Sequence, residues 1–309
     1  MGKLIVVIVG PTCSGKSNLS LNLAKELNTE IISSDSRQIY KDIDIGTAKP
    51  SKSELEEVPH SFIDLLELDE NFDVSSYEKQ AWMKIDNLIN NKVIPIVTGG
   101  SGLYIRALID GIVDIETDDE IRKELFAQKG IYGNEYLYKM LTDIDPESAK
   151  TMLPQNWKRV IRALEVFQIT GKSITDFHTN QNRNKMGYNF LQFGLNWKRE
   201  ILYKRIETRV DGMINNGLVE EVKSILAKGY SETLNSLNSV GYKEIIAFLK
   251  NEVSLETAVS LIKRNTRRYA KRQLTWFRKD ERIHWFNIEN ELDLFKIKNE
   301  ILNKINSEL

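Results

Sequence analysis

A chain of 309 residues, 41% hydrophobic and 28% charged, is ordinary for a globular protein and long enough for one large core or two smaller ones. The single cysteine, Cys13, excludes an intrachain disulfide and argues against a cysteine-based metal site. A net charge of −1 gives no global attraction to nucleic acid, so such a contact would need a local basic patch. The longest apolar run, residues 4–9, is far too short to span a bilayer.

Leu4–Val9 is apolar and β-branched, as a buried parallel strand requires. It starts so early that no signal peptide is expected, and a reducing cytoplasmic setting follows. The strand runs into Gly10, Pro11, Thr12, Cys13, Ser14, Gly15, Lys16 and Ser17, a complete G-x-x-x-x-G-K-[ST] loop. A helix is predicted over Ser17–Leu27, with Leu19, Leu23 and Leu27 on one face. Strand, loop and helix are the context this motif needs. The two glycines let backbone N–H groups turn inward, and the helix N-terminus adds positive charge. Lys16 then reaches a terminal phosphate, and the Ser17 hydroxyl is a candidate Mg²⁺ ligand. The loop predicts binding of a pyrophosphate-bearing molecule, ATP among the candidates.

Further strands are predicted over Glu30–Ser34, Lys92–Thr98 and Phe190–Asn196, each short and closed by turn residues. Residues 117–188 are charged helical stretches broken by Gly130, Gly133, Pro146, Pro154 and Gly171. From 199 the pattern is helical to about Lys279. The expected fold is α/β: a P-loop NTPase-like parallel sheet core over 1–116 and 189–309, with C-terminal helices and a helical insertion over 117–188.

Three constellations carry candidate chemistry. Asp35 follows a predicted strand, where it reads as a turn residue, a Mg²⁺ ligand or a general base. The strand Val93–Val97 ends in Thr98-Gly99-Gly100-Ser101 and not in the Asp that commonly holds Mg²⁺ in P-loop NTPases; Asp64 is a weaker substitute. This disfavours a motor or a GTPase-like switch. Arg209 sits at the edge of the helical stripe Leu202, Ile206 and Met213, either covering apolar surface or clamping an anion. Residues 263–282 carry Lys263, Arg264, Arg267, Arg268, Lys271, Arg272, Arg278, Lys279 and Arg282 against Asp280 and Glu281. On a helical wheel Val259, Ile262, Tyr269, Ala270, Leu274, Trp276 and Phe277 take one side, leaving a cationic stripe suited to nucleic-acid phosphates. Lys158, Arg159 and Arg162 repeat the theme in the insertion.

Together these motifs resemble the tRNA dimethylallyltransferases (tRNA isopentenyltransferases). The resemblance runs through Gly10–Ser17, Ser34–Tyr40, Asp44–Pro50, Val58–His60, Thr98–Tyr104, Arg159–Val166, Thr170-Gly171, Arg205–Val210, Gly241–Glu244 and Asn265–Arg278. It implies transfer of a dimethylallyl group from dimethylallyl diphosphate to N6 of adenosine 37, beside the anticodon of tRNA. It further implies Asp35 as the general base, and Thr12, Gly15, Lys16 and Ser17 as the diphosphate cradle with Arg209 as a second clamp. Contacts to the anticodon stem-loop are implied for Asp35, Ser36, Arg37, Gln38, Ser101 and Arg122. The same holds for Lys158, Arg159, Val160, Ile161, Arg162, Gly241, Tyr242, Lys243, Lys271, Arg272 and Arg278. Ser17 and Ser101 stand where the family more often has Thr, and both keep the hydroxyl. No C-terminal zinc-finger pattern is present, so the resemblance is to the bacterial form, expected as a Mg²⁺-using monomer with no membrane association. Two rivals share the loop: a nucleotide kinase or adenylate prenyltransferase, which needs no cationic helix, and an ATP-regulated RNA-binding protein, which has no use for Asp35.

Overall fold

The computed structural model describes residues 3–112, 115–180 and 187–309. Residues 1–2, 113–114 and 181–186, which fall in the core and insertion drawn from the sequence, lie outside the described residues. The chain divides into two compact units, Met1–Leu108 with Lys185–Leu309, and Ile109–Asn184.

The first unit is built on six strands: β1 (Lys3–Val9), β2 (Ile31–Ser33), β3 (His60–Ser61), β4 (Ile96–Gly99), β5 (Tyr188–Trp197) and β6 (His284–Ile288). They form one sheet in the order β3-β2-β4-β1-β5-β6, with every pair parallel. Ile5 through Val9 are wholly buried, because a parallel sheet is covered on both faces by its crossover helices. The strand order reverses beside β1, so a crevice opens past the C-terminal ends of β1, β2 and β4.

Two strands depart from the sequence pattern and one starts late. Expected from Lys92, β4 begins only at Ile96. Lys92 adopts φ 60°, and the amides of Lys92 and Val93 return to the carbonyls of Ile89 and Leu88, so this segment closes the preceding helix. Pro95 has no N–H to give a ladder, and its carbonyl accepts from Val6 N at 3.0 Å. The two-residue β3 is too short to leave a periodic signal. The edge strand β6 follows directly on the basic helix, and Gly194 makes room for it: a Cβ there would lie 2.6 Å from the Trp285 ring.

Helices complete the layers. Lys16–Leu27 packs against the C-terminal helix Leu292–Glu308, which buries Ile297, Ile301 and Ile305. The long helix Leu255–Phe277 starts at Ser254, whose side chain accepts from Thr257 N, and packs against Arg199–Asn215 and Tyr242–Leu249.

The second unit is helical: Asp119–Ile144, interrupted at Gly133 (φ 82°), then Pro146–Lys150, Trp157–Thr170 and Ile174–Asn180. Its core gathers Leu125, Leu137, Leu141, Val160, Ile161 and Leu164, among others. Glu165 is fully buried at its edge. It pairs with Arg122 at 2.8 Å and Arg162 at 2.7 Å, and accepts from Asp118 N at 3.0 Å. A buried carboxylate needs such partners.

Candidate active site

The loop after β1 folds as its residue types require. Gly10 (φ 153°) and Gly15 (φ 87°) take conformations that L side chains rarely adopt, and Cys13 joins them at φ 64°. The loop is braced from outside: Trp197 Nε1 donates to Ser14 O at 2.8 Å, and Arg205 Nε donates to Cys13 O at 2.8 Å. Lys16 curls back so that Nζ donates to Pro11 O at 3.3 Å. Burial lowers its pKa to about 8, the nearby Asp35 carboxylate opposing that shift and the Arg209 guanidinium adding to it. Ser17 is exposed at the mouth of the loop.

Asp35 stands just past β2. Its Oδ1 accepts from Arg37 N at 2.9 Å and Gln38 N at 3.4 Å, an Asx-type turn that orients the side chain. Oδ2 accepts no hydrogen bond among the described residues. The turn reading and the chemical reading of Asp35 are therefore compatible, one oxygen serving each. The loop after β4 holds this turn in place: Ser101 N donates to Ser34 O at 3.1 Å, and Ser36 N donates to Ser101 Oγ at 3.0 Å. Gly99 has to be glycine because a Cβ would collide with the Ser34 carbonyl.

These loops meet in a cavity of about 1010 Å³. Lys16, Arg37, Lys204, Arg205, Arg209, Lys243 and Arg272 line it, against Asp35 and Glu54 as the only carboxylates in its wall among the described residues. Such a cavity favours a polyanion. Arg209 Nη1 lies 3.4 Å from Thr12 Oγ1 and 3.7 Å from Cys13 Sγ, so it reaches the phosphate loop instead of covering apolar surface. Cys13 also lines the cavity.

Sequence reasoning missed three supports of this site. Arg205, one turn before Arg209, stacks 4.3 Å from the Trp197 ring centroid and pairs with Glu291; its i, i+4 spacing to Arg209 was the available signal. Trp197 itself closes β5. Gln273, 6% exposed, accepts from Thr12 N at 2.8 Å and donates to Gly100 O at 3.0 Å. A glutamine in a basic helix reads as solvated, so nothing in the pattern marked it.

The remaining expected residues divide. Lys158, Arg159, Lys243, Lys271, Arg272 and Arg278 are exposed, as a phosphate-facing set must be. Arg37 Nη1 donates to Asn235 O at 2.6 Å, and Gln38 Nε2 donates to the Thr47 and Ala48 carbonyls at 3.2 and 3.1 Å. Val160 and Ile161 are core residues, and Tyr242 is fully buried, so their side chains support a surface without forming one. Tyr242 Oη donates to Glu221 at 2.6 Å; the same carboxylate accepts the amides of Asp44, Ile45 and Gly46, and Gly46 packs on the Tyr242 ring. Gly241 N donates to the buried Glu244 at 2.8 Å. Ser101 is committed to Ser36, and Arg122 and Arg162 to Glu165. Asp64 is held by Lys49, outside the cavity wall. Trp276, expected on the docked face, is 42% exposed and lies over Gly102.

A parallel sheet whose β1 ends in a G-x-x-x-x-G-K-S loop, facing a cationic cavity with one turn-held carboxylate, defines an α/β protein with a site of a shape and charge that suit a polyanion. The family model "IPP transferase" matches residues 38–280. The chain belongs to the IPP transferase family. It is 49% identical over 286 residues to the tRNA dimethylallyltransferase of Alkaliphilus oremlandii, covering 92% of this chain and 91% of that protein. Over 282 residues it is 48% identical to the enzyme of the same name from Halothermothrix orenii, covering 91% and 86%. Among solved structures, the tRNA isopentenylpyrophosphate transferase of Bacillus halodurans is 39% identical, with a TM-score of 0.72 over 99% of this chain and 98% of that one. A eukaryotic dimethylallyltransferase captured acting on tRNA is 28% identical, with a TM-score of 0.81 over 93% of this chain and 74% of that one.

Proposed function

We propose that this chain is a tRNA dimethylallyltransferase, transferring the dimethylallyl group of dimethylallyl diphosphate to N6 of adenosine 37 in tRNA. The observation that carries the reading is the joint placement of Asp35, Lys16 and Arg209 in one cavity at the strand ends. Family membership supplies the substrate class.

The chemistry follows from these groups. The N6 lone pair attacks the allylic C1 as the C1–O bond breaks, and diphosphate leaves with the bonding pair. Charge grows on the leaving oxygen, and the loop amides, Lys16 and Arg209 stabilise it. Asp35 Oδ2 takes the N6 proton, while its Oδ1 keeps the carboxylate aimed. An exocyclic amine is a poor nucleophile, so holding it against C1 contributes heavily. The adenine has to leave the anticodon stack to enter the cavity. The exposed residues Lys158, Arg159, Lys243, Lys271, Arg272 and Arg278 would grip tRNA phosphates.

The donor set fits Mg²⁺ in a limited way. Ser17 offers an exposed hydroxyl beside the loop, and no cluster of three His, Cys, Asp or Glu exists among the described residues. Mg²⁺ held by one protein oxygen with diphosphate oxygens and water matches its usual habit. Bound there, it supplies positive charge to the leaving group. A monomer is the expected form. No helix among the described residues is long and apolar enough to cross a membrane; the tRNA substrate implies a cytoplasmic enzyme.

The test is incubation with labelled dimethylallyl diphosphate and bulk tRNA. Label in the tRNA is expected; label in free AMP, or none, overturns the reading. Asp35→Ala is expected to lose turnover by roughly 10²-fold or more with tRNA affinity nearly unchanged. Normal turnover would leave Asp35 as a turn residue alone.

A further inference from the structure

The two halves of the proposed reaction sit on different strands. The leaving group is held after β1, and the proton acceptor stands after β2. The strand between them in the sheet is β4. Toward Asp35, the Ser101 hydroxyl and amide hold Ser36 and Ser34, the two residues flanking the carboxylate. Toward the phosphate loop, the β4 loop provides no direct hydrogen bond among the described residues. A side chain from elsewhere closes that gap: Gln273, of the helix Leu255–Phe277, accepts from Thr12 N at 2.8 Å and donates to Gly100 O at 3.0 Å. The bond to Gly100 is buried and the one to Thr12 partly so, and a buried polar group left without its partner is costly. Gly100 is shaped to this contact, since a Cβ there would collide with the Gln273 amide.

We infer that Gln273 is a positioning residue, fixing the phosphate loop relative to the Asp35 turn by bridging Thr12 and Gly100 so that diphosphate and base keep one separation. The inference rests on the transferase reading. Gln273 acts through backbone groups and is not itself a reacting group. One amide side chain is suited to the task because it accepts with one atom and donates with the other. Its absence leaves the substrates bound and the reacting atoms misaligned. Misplacement on the order of 1 Å lowers rates by about 10²-fold, so the expected effect falls on kcat.

The experiment compares wild type with Gln273→Met, Gly100→Ala and Gln273→Glu in the labelled-transfer assay, with melting temperature followed in parallel. Gln273→Met removes both bonds, and Gly100→Ala displaces the amide while keeping it in the chain. Each is expected to lower kcat by at least about tenfold, with KM for dimethylallyl diphosphate moving less than about threefold, and their double variant is expected to be no worse than either alone. Gln273→Glu keeps the acceptor but, when ionised, loses the donor. Its kcat relative to wild type is expected to recover as pH falls and the carboxyl regains a proton for Gly100 O. A purely structural role would not produce that pH profile. A wild type that fails to prenylate tRNA overturns the transferase reading and this inference together. A wild type that prenylates, with unchanged kcat in Gln273→Met and Gly100→Ala, overturns the inference alone. Should both variants melt far below wild type, a Gln273→Glu profile parallel to wild type overturns it as well.

Discussion

Lys16 is a charge that the folded chain holds at a cost until an anion arrives. Burial lowers its pKa to about 8 from an ordinary value of 10.5. Between those values the unfolded chain holds a proton that the folded chain has released. Stability from this group therefore rises with pH across that window, and below it the folded protein carries an imperfectly compensated ammonium. Two consequences can be measured. Lys16→Met is expected to melt no lower than wild type at pH 7 without ligand, although it loses diphosphate affinity; a clear fall in melting temperature contradicts the account. In wild type, dimethylallyl diphosphate affinity should weaken as pH rises through 8, and binding above that pH should take up a proton, seen as calorimetric heats that depend on the buffer. Heats independent of the buffer would mean that Lys16 is already charged in the free protein. At this same scale Asp35 divides its oxygens between a turn and the cavity, which is why neither its turn role nor its chemical role excludes the other.

At the scale of elements, the helix Leu255–Phe277 shows how one segment serves two surfaces. Ala258, Ile262, Ala270, Gln273 and Phe277 are buried. Its basic residues are not all available to a partner. Lys263 pairs with Asp211 and Arg267 with Glu207, each at 2.6 Å, acids four residues apart on Arg199–Asn215. Arg264, Arg268, Lys271 and Arg272 are exposed, Arg272 at the wall of the cavity. Each tRNA phosphate neutralised contributes roughly 0.7 to 0.9 to the salt slope of binding. Lys271→Ala with Arg272→Ala should therefore weaken tRNA binding at moderate salt and flatten its salt dependence by about one to two units, with little change in melting. Lys263→Ala, already paired inside the protein, should leave the slope as it is. Parallel slopes in wild type and the double variant would show that the tRNA is gripped elsewhere.

At the scale of the whole molecule, each unit is held by its own core, and in the helical one the fully buried Glu165 gathers three partners. Removing the Glu165 carboxylate strands Arg122, Arg162 and the Asp118 amide at once. Both arginines keep part of their exposure, so water meets some of their loss, while the Asp118 amide loses its acceptor. Glu165→Ala is expected to lose hydrogen-exchange protection within 115–180 while the sheet around β1 stays protected. Uniform loss across both units would mean that they unfold as one.

The phosphate loop, the parallel α/β class and the outward cationic stripe were legible in the chain, because each is a local pattern: a run of β-branched residues, a fixed glycine spacing, a periodicity of charge. Asp35 and Arg209 were legible as candidates but not as neighbours of Lys16, since their meeting depends on the order β2-β4-β1-β5. Three kinds of information lay beyond the sequence. The edge strands β3 and β6 are too short, or too close to a helix, to leave a period of their own. The ion pairs that engage Arg122, Lys263 and Arg267 join residues far apart in the chain, whose partners no spacing rule selects. The Gln273 bridge joins positions 261 and 173 residues apart. Local order is set by neighbours along the chain, so the sequence alone determined where the glycine-rich loop and the charged segments lie. Which of those charges are free, and which side chain ties the loops together, depends on contacts between distant segments, and only the tertiary structure decided them.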